Sequence, residues 1–488
     1  PPISMHADLK MDGPQVAANL LAQEGVGTIR LNADYNLNSE AYKTDLVIDS
    51  LQVNHFMPKD SIGSVSATAN ISGRGIDFQS TRTTATANLA VTTLEYDRYN
   101  LNGIELTAEL RNALAKAHIT SSNSLLIMDA QGEYRTNSRN IEASASVNVA
   151  DVDIYQLGLI DRPMTNTLSL SLAADVQQDS VTLSLVSGDL EAKLRAQGPL
   201  QQLIDKSMAF TNELMQQINI LELDHKELRS ELPSARFNLK AGQQNPISRY
   251  FIPDNINFGD LKAGFIVNPD RGINGAAVVH GLRVDTLQLD TAYVVAFQDT
   301  ARLNLRAGVT NGPSNPQYTF RASVTGEVRS EDAEVLLEFK NAEGKTGLRL
   351  GANARPQNNG FRVQLIPENP IVAFREFSFN NHDKIFIRNN GRVLADVQMF
   401  NPEGMGVSIQ SMPDTTYLQN LDIEIRRIEL ADISRMLPYY PSFSGLFSAE
   451  AVFQQSTDNM QLSAEVRIGD LMYEEKRAGN IGVGATWL

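Results

Sequence analysis

The side chains that could carry out chemistry are few in this sequence and lie far apart along it. The chain has no cysteine, which excludes disulfides, thiolate metal sites and a cysteine nucleophile. No two histidines have the spacing of a metal-binding pair, and neither an HExxH nor an HxH motif occurs. We therefore expect each histidine to be an ordinary surface side chain. They are His6, His55, His118, His225, His280 and His382.

Short glycine pairs are the nearest approach to a phosphate-binding loop. Gly73-Arg74-Gly75 and Gly404-Met405-Gly406 lack the GxGxxG continuation and lie among strand-like residues, which is typical of turns or bulges. Neither a GxSxG nucleophile elbow nor a Walker-type loop is present. The carboxylates fall in turns or on the polar positions of strands. The sequence therefore predicts a protein that is not an enzyme and that has no metal site and no cofactor.

The overall composition excludes two further classes of partner. The 488 residues include 42 Lys and Arg against 57 Asp and Glu, a net charge of −15. This balance argues against nucleic-acid binding and against docking on anionic lipid through a basic patch. No run approaches the length of a membrane-spanning helix. Because both ends look cut, we expect an internal piece of a longer protein, from which anchors or targeting signals are missing.

Alternation of apolar and polar residues runs through almost the whole sequence. Clear examples are residues 168–172 (LSLSL), 181–185 (VTLSL) and 421–425 (LDIEI), and turns rich in Gly and Asn separate such runs. This pattern predicts an all-β chain of roughly 30 antiparallel strands, each with one apolar face, that holds over half of the residues. At ~4.8 Å per strand, one continuous sheet would be on the order of 140 Å long.

An apolar sheet face can be hidden from water in two ways. Two sheets can pack face to face as a sandwich, and composition alone slightly favours this arrangement. An array of such sandwiches would be typical of a secreted adhesin. Alternatively, one curved sheet can keep its apolar face as an open groove. The apolar positions are rich in Ala and Val, and large aromatic residues are few, which favours the groove. Both arrangements remain open at this point.

One segment interrupts the alternation with helical spacing. Apolar residues recur at three-four intervals over 199–220, and Pro199 suits the first turn of a helix. A shorter helix is expected over 226–232. We expect the long helix either to pack on the sheet or to act as a movable lid over an apolar surface. The side chains expected to face the sheet are Leu203, Ile204, Met215 and Ile218.

The sequence also contains divergent internal repeats. Residues 46–54 match residues 423–431 at an offset of 377, which becomes 382 around Gly63 and Gly445. A third, shorter copy begins near Val147, and a possible fourth spans 285–290. Stacked β units that pair only with their neighbours produce such a pattern.

If the sheet forms an open groove, the apolar positions of its clearest strands would line it. The candidate lining residues are Leu168, Leu170, Leu172, Leu183, Leu185, Leu303, Leu305, Ile423, Ile425, Val466 and Ile468.

The C-terminal stretch resembles a known family. Residues 427–487 contain Ile433 to Leu437 where the family has a loop of the LxxLxxLxP type, then Ser444-Gly445, a small-residue strand at 462–468, Leu471-Met472-Tyr473 and a glycine-rich strand at 479–483. This order is similar to the TamB branch of the AsmA-like bridge proteins, in the form found in Bacteroidetes. Residues 379–387 are similar to the segment that precedes the terminal region of that branch.

This resemblance implies a fold and a function. Members of the family form a long β-groove, often called a β-taco, and cross the periplasm from an anchor in the inner membrane. They are thought to carry phospholipid acyl chains toward the outer membrane. TamB itself partners an Omp85-type outer-membrane protein in the translocation and assembly module.

We therefore expect a curved groove of stacked strands with one inserted amphipathic helix. The expected parts are groove repeats over 1–198, a helical insertion over 199–232, further groove over 233–400 and a TamB-like repeat over 401–488. The expected function is conduction of phospholipids between the two membranes in support of outer-membrane biogenesis. The alternative is a scaffold for outer-membrane β-barrel proteins, which would use an exposed sheet edge.

Overall fold

The computed structural model describes residues 3–57, 61–97, 99–161, 163, 167–220, 222–380, 384–413, 416–437, 441–456 and 459–487. Strands account for 66% of the chain and helices for 8%, and the antiparallel sheet is not closed. This confirms the prediction of an all-β chain with more than half of its residues in open antiparallel strands. The alternative of a sandwich is wrong, because the strands follow one another in a ladder instead of folding back as a second sheet.

The chain divides into two compact units. The first unit holds Pro1–Lys206 and Pro233–Pro253, and the second holds Ser207–Leu232 and Asp254–Leu488.

The strands of the first unit are paired in chain order, with the short β7 added beside β6. They are β1 (Ile3–Asp12), β2 (Gln15–Glu24), β3 (Gly27–Asn36), β4 (Ala41–Gln52), β5 (Ile62–Arg74), β6 (Thr84–Tyr96), β7 (Tyr99–Asn100), β8 (Ile104–Arg111), β9 (Leu114–Asn123), β10 (Leu126–Arg135), β11 (Ala143–Val152), β12 (Leu168–Val176), β13 (Ser180–Ser187), β14 (Leu190–Gln197) and β15 (Ser234–Gly242).

The second unit repeats this arrangement, with the short strands β16, β25 and β26 added beside the longer ones. Its strands are β16 (Ile256–Asn257), β17 (Asp260–Asn268), β18 (Gly272–Val284), β19 (Leu287–Gln298), β20 (Arg302–Asn311), β21 (Phe320–Arg329), β22 (Ala333–Lys340), β23 (Thr346–Gln357), β24 (Gly360–Val372), β25 (Arg375–Glu376), β26 (Ser378–Phe379), β27 (Lys384–Arg388), β28 (Val393–Phe400), β29 (Gly406–Ser411), β30 (Gln419–Glu429), β31 (Phe443–Gln455), β32 (Met460–Tyr473) and β33 (Lys476–Trp487).

Four α-helices and one 3-10 turn complete the described structure. They are α1 (Leu200–Ile220), α2 (His225–Ser230), α3 (Pro246–Phe251), α4 (Leu430–Ser434) and the 3-10 turn Val53–His55. The helix predicted over 199–220 is confirmed as α1. The shorter predicted helix begins one residue earlier than expected, because Asp224 caps α2 by accepting from the backbone N–H groups of Lys226 and Glu227.

The internal repeat extends to the backbone hydrogen bonds. In β4 a bulge places Ser50 at φ +52°, and its N–H donates to the Ser66 hydroxyl at 2.9 Å. In β30 the equivalent residue, Arg427, has φ +50°, and its N–H donates to the Ser448 hydroxyl at 3.1 Å. These positions are related by the same offsets, 377 and 382, that align the two sequences. Both copies therefore bend the strand with the same β-bulge, held by a hydroxyl of the neighbouring strand.

Candidate functional site

One face of the first unit is apolar from its first strand to its last. Residues that are paired across antiparallel strands point to the same side of the sheet, so the register defines rows that cross the whole ladder. One such row has an apolar side chain in each of fourteen strands. Its members are Ala7, Leu20, Leu31, Leu46, Ala69, Leu89, Leu106, Ile119, Ala130, Val147, Leu172, Leu185, Ala192 and Leu239.

The neighbouring row lies on the opposite face and is almost entirely polar. Its members are Asp8, Asn19, Asn32, Asp45, Asn70, Asn88, Thr107, His118, Gln131, Ser146, Ala173, Ser184, Lys193 and Asn238. Successive residues of a strand point to opposite faces of the sheet. Neighbouring positions along each strand therefore alternate between an apolar face and a hydrated polar face.

The second unit has an apolar face of the same kind. Near its start, one row contains Leu261, Val279, Ala292, Val309, Ala322, Phe339, Leu348 and Val372. Nearer its end, another row contains Met399, Val407, Ile425, Ala449, Val466 and Val483.

The eleven predicted lining residues separate into two groups. The register places Leu168, Leu170, Leu172, Leu183 and Leu185 on the apolar face of the first unit. The other six lie on the apolar face of the second unit: Leu303, Leu305, Ile423, Ile425, Val466 and Ile468. Within each unit, the structure therefore brings the predicted residues to one surface.

Much of this apolar surface is open. Leu172 and Leu183 are 43% and 41% exposed in the first unit, and Leu305 is 40% exposed in the second. A recess of about 630 Å³ in the second unit is bordered by residues that include Val309, Val324, Leu337 and Phe339. A recess of about 500 Å³ in the first unit is bordered mainly by alanines of β6, β8 and β9 with Leu110 and Tyr134.

The polar face also has a recess, of about 940 Å³, and it is larger than the apolar ones. Its walls include Asn88, Thr107, His118 and Gln131, and it contains the ion pair between Lys116 Nζ and Glu133 Oε1 at 2.6 Å. Charged and amide side chains interrupt the alanines of those walls, so the opposite face is the better site for a hydrophobic ligand.

Helical turns border the apolar face of the first unit. Strands β4, β11 and β15 run in the same direction, so the 3-10 turn after β4, the turn after β11 and α3 all lie at one rim. Ile154 in the turn after β11 is buried with Val152 and Leu168, and Ile247 of α3 packs against this cluster. Leu168 is only 7% exposed and therefore belongs to the packed rim rather than to the open surface.

The repeats anchor their rim turns at the same position with different chemistry. After β4, the His55 imidazole bonds the buried Glu24 carboxylate, with 2.7 Å between Nδ1 and Oε1. In the second copy the equivalent of His55 is Asp432, which is 3% exposed and accepts from Arg375 Nε at 2.5 Å and from Arg435. Met436, just after α4, borders the 630 Å³ recess. Side-chain pairs thus hold these turns at the edge of the apolar face.

The expected orientation of α1 is wrong for three of its four residues. Leu203 is 9% exposed and packs against Val181 and Ala196 of the first unit, as expected. Ile204, Met215 and Ile218 are instead 43%, 55% and 47% exposed. The reason is that α1 has two apolar stripes, and only the stripe that contains Leu203 is covered.

His225 is a second correction, since it is 3% exposed rather than on the surface. Gln298 Nε2 donates to His225 Nδ1 at 3.4 Å, and Gln298 Oε1 accepts from Ile273 N at 3.1 Å. This orientation requires Nδ1 to be unprotonated. Four residues later in α2, Arg229 Nε donates to the Pro269 carbonyl at 3.2 Å and its Nη2 donates to the Asp270 carbonyl. These contacts dock α2 on the sheet of the second unit.

Burial lowers the pKa of His225, and it outweighs the Val328 carbonyl and the carboxylates of Asp299 and Asp224, which act in the opposite direction. The unfolded chain therefore takes up a proton more readily than the folded one below pH about 6.5, and stability is lost as the pH falls through that value. We expect the urea midpoint of unfolding to fall between pH 7.5 and 5.5, and to fall less in His225→Gln. An equal fall in His225→Gln would contradict this assignment.

Two other kinds of functional element, a metal site and a membrane-spanning helix, are not seen in the part of the chain that the structure describes. There, no three His, Asp or Glu side chains are grouped so that they could hold a cation, and no helix is both long and apolar enough to cross a bilayer. His382 lies outside the described residues. No protein-family model, curated protein or solved structure matches the chain. The resemblance to the TamB branch therefore stays a prediction.

Proposed function

We propose that the apolar face of each unit carries lipid acyl chains without chemical conversion. The observation that carries this proposal is the unbroken apolar row of the first unit, which presents a hydrocarbon side chain in each of fourteen strands and no polar side chain at which an acyl chain would stop. Exposing an acyl chain to water costs about 0.8 kcal/mol per CH₂, so a lipid tail gains from continuous apolar cover. Since neighbouring positions are alike, moving from one strand to the next changes the energy little, which permits sliding.

The polar face has a separate role in this proposal. Its Asn, Asp, Thr and Ser side chains and the net charge of −15 keep the ladder in water while the other face holds lipid. Following the resemblance, we infer that the protein acts in the periplasm as part of a longer chain anchored in the inner membrane. By the same resemblance, its partner would be an Omp85-type outer-membrane protein.

A scaffold for outer-membrane β-strands is the second candidate function. In the described residues, β33 is paired with β32 along one edge and has no strand along the other. A nascent strand could extend the sheet there by β-augmentation. This function would use backbone groups at the edge rather than side chains on the face, so the two candidates predict different contacts.

Site-specific photo-crosslinking distinguishes these candidates. A crosslinking amino acid is placed at Leu172 or Ile425 on the apolar face, and at Ser171 or Glu424 on the polar face of the same strands, in the presence of phosphatidylethanolamine vesicles. We expect Leu172 and Ile425 to capture phospholipid and the two polar positions to capture at most about a tenth as much, the ratio that ~1.4 kcal/mol of preference gives. Equal capture at all four positions would refute lipid carriage. Capture of unfolded outer-membrane protein at β33, with no lipid at Leu172 or Ile425, would favour the scaffold.

A further inference from the structure

Helix α1 exposes an apolar stripe to solvent. Ile204, Met208, Met215 and Ile218 are 43%, 53%, 55% and 47% exposed, and the exposed Thr211 lies between them. We call these five residues the outer stripe. The Thr211 hydroxyl donates to the Ser207 carbonyl of its own helix at 2.9 Å, so Thr211 contributes its methyl group to the stripe. The steps along the stripe are four, three, four and three residues, which is the spacing of a coiled-coil seam.

The flanks of the outer stripe are uncharged apart from one carboxylate. One flank contains Asp205 together with the uncharged Gln201, Asn212 and Asn219, and the other flank contains Ser207. The remaining charged residues of α1 are Lys206 and Glu213, which are half-buried on the far side of the helix. A solvent-facing helix normally carries charge there, and a helix that lies on a membrane carries Lys or Arg beside its apolar stripe. The outer stripe has neither feature, which favours another protein helix as its partner.

The order of residues identifies which helix would fit. Ile-Met-Thr-Met-Ile reads the same in both directions, and on reversal its steps become three, four, three and four, so each member of the stripe matches its counterpart to within one residue. In an antiparallel pair with a two-fold axis at Thr211, Ile204 lies opposite Ile218 of the second copy. Met208 lies within one residue, about 1.5 Å along the helix, of the level of Met215 of the second copy. Asp205 then lies near Asn219 of the second copy, so no like charges meet. A surface that matches itself about a two-fold axis is what a symmetric dimer requires.

We propose that α1 pairs in antiparallel orientation with α1 of a second copy of this chain through the outer stripe. The helix has 21 residues. A pairing over about 30 Å falls among the small interfaces, below about 1,200 Å² of total buried area. The dimer is therefore weak and reversible, and it forms whether or not the apolar sheet face carries lipid.

Sedimentation velocity of the 488-residue chain from about 1 to 200 µM tests this proposal. We expect a concentration-dependent shift from monomer to dimer. Met208→Glu would bury a carboxylate in the interface, so this variant should need at least about tenfold higher protein concentration to dimerise. The double variant Met208→Glu/Met215→Lys should restore dimerisation, because each carboxylate then meets an ammonium group of the other copy, whereas Met208→Glu/Met215→Glu should stay monomeric. Failure of the Glu/Lys pair to restore the dimer would refute the antiparallel arrangement, since like charges meet in a parallel one.

Cysteine crosslinking gives an independent measurement, because the chain has no cysteine of its own. Under mild oxidation, Thr211→Cys should form a disulfide-linked dimer, since position 211 lies on the two-fold axis. Gln216→Cys, which is exposed on the same helix but away from the stripe, is the control and should remain monomeric. The proposal is overturned by a monomer at every concentration, by equal crosslinking at both positions, or by vesicle binding that Met208→Glu abolishes.

Discussion

A carboxylate at position 172 is expected to stop acyl chains from passing along the apolar face of the first unit. Leu172 lies within the fourteen-residue apolar row, between Val147 and Leu185. Covering an unpaired charge with hydrocarbon costs several kcal/mol, so Leu172→Asp should slow lipid transfer at least about tenfold. Because Leu172 is 43% exposed and lies outside the packed rim cluster, its replacement should leave the strands paired.

The measurement is transfer of a fluorescent phospholipid from donor to acceptor vesicles, with circular dichroism to show that the strands remain. The matched control is Ser171→Asp, which adds the same charge one residue away on the polar face, where Ser171 is already exposed. We expect Ser171→Asp to transfer lipid at the wild-type rate. Equal losses in the two variants, or no loss in either, would refute passage along the apolar face.

Removal of the Asp432 carboxylate is expected to give the largest loss of stability. This buried side chain accepts from Arg375 and Arg435, and Arg375 also bonds Glu403 at 2.8 Å and Glu429 at 3.2 Å. Asp432→Ala deletes two charge-assisted hydrogen bonds but leaves Arg375 with its two other carboxylates. We therefore expect a loss of about 2–3 kcal/mol in the free energy of unfolding, measured with urea.

An exposed ion pair of the same unit is the control for this experiment. Arg467 Nη2 and Glu465 Oε1 are 2.6 Å apart, but the two side chains are 66% and 54% exposed. Glu465→Ala should cost much less than Asp432→Ala, because solvent screens an exposed pair. Asp432→Asn should lie between the two, since it retains one acceptor oxygen but loses the charge. A cost for Asp432→Ala as small as that for Glu465→Ala would show that α4 is held by its apolar contacts alone.

The strands and the apolar face could be predicted from the sequence because alternation of apolar and polar residues with a two-residue period indicates an extended strand with one apolar face. Leu168, Leu170 and Leu172 must share a face if the segment is extended, and antiparallel pairing carries that face to the next strand. The register itself depends on turns and bulges. The bulge at Ser50 could be found only by comparison with its repeat at Arg427, since neither residue is typical of positive φ.

Helix orientation and side-chain burial were harder to predict for a related reason. Both stripes of α1 are apolar, so the spacing of Ile204 and Met215 fits burial and exposure equally well, and tertiary packing decides between them. His225 gave no local signal, because its burial depends on Gln298, which is 73 residues away. The anchor at Asp432 likewise requires Arg375, which is 57 residues away. Periodicity reports local geometry and contains no information on such pairs.

The strand order also affects how each ladder responds to damage. Nearly every long strand is hydrogen-bonded to the strands before and after it in the chain, so its stability depends on those neighbours rather than on one shared core. Amide hydrogen exchange should then open strand by strand, and a lesion in β5 should leave β12 protected. The dependence of each strand on its neighbours alone also allows gene duplication to lengthen a ladder. A copied block such as residues 46–96, repeated at 423–473, adds strands to a ladder while the existing strands keep their partners, which makes ladder length easy to change during evolution.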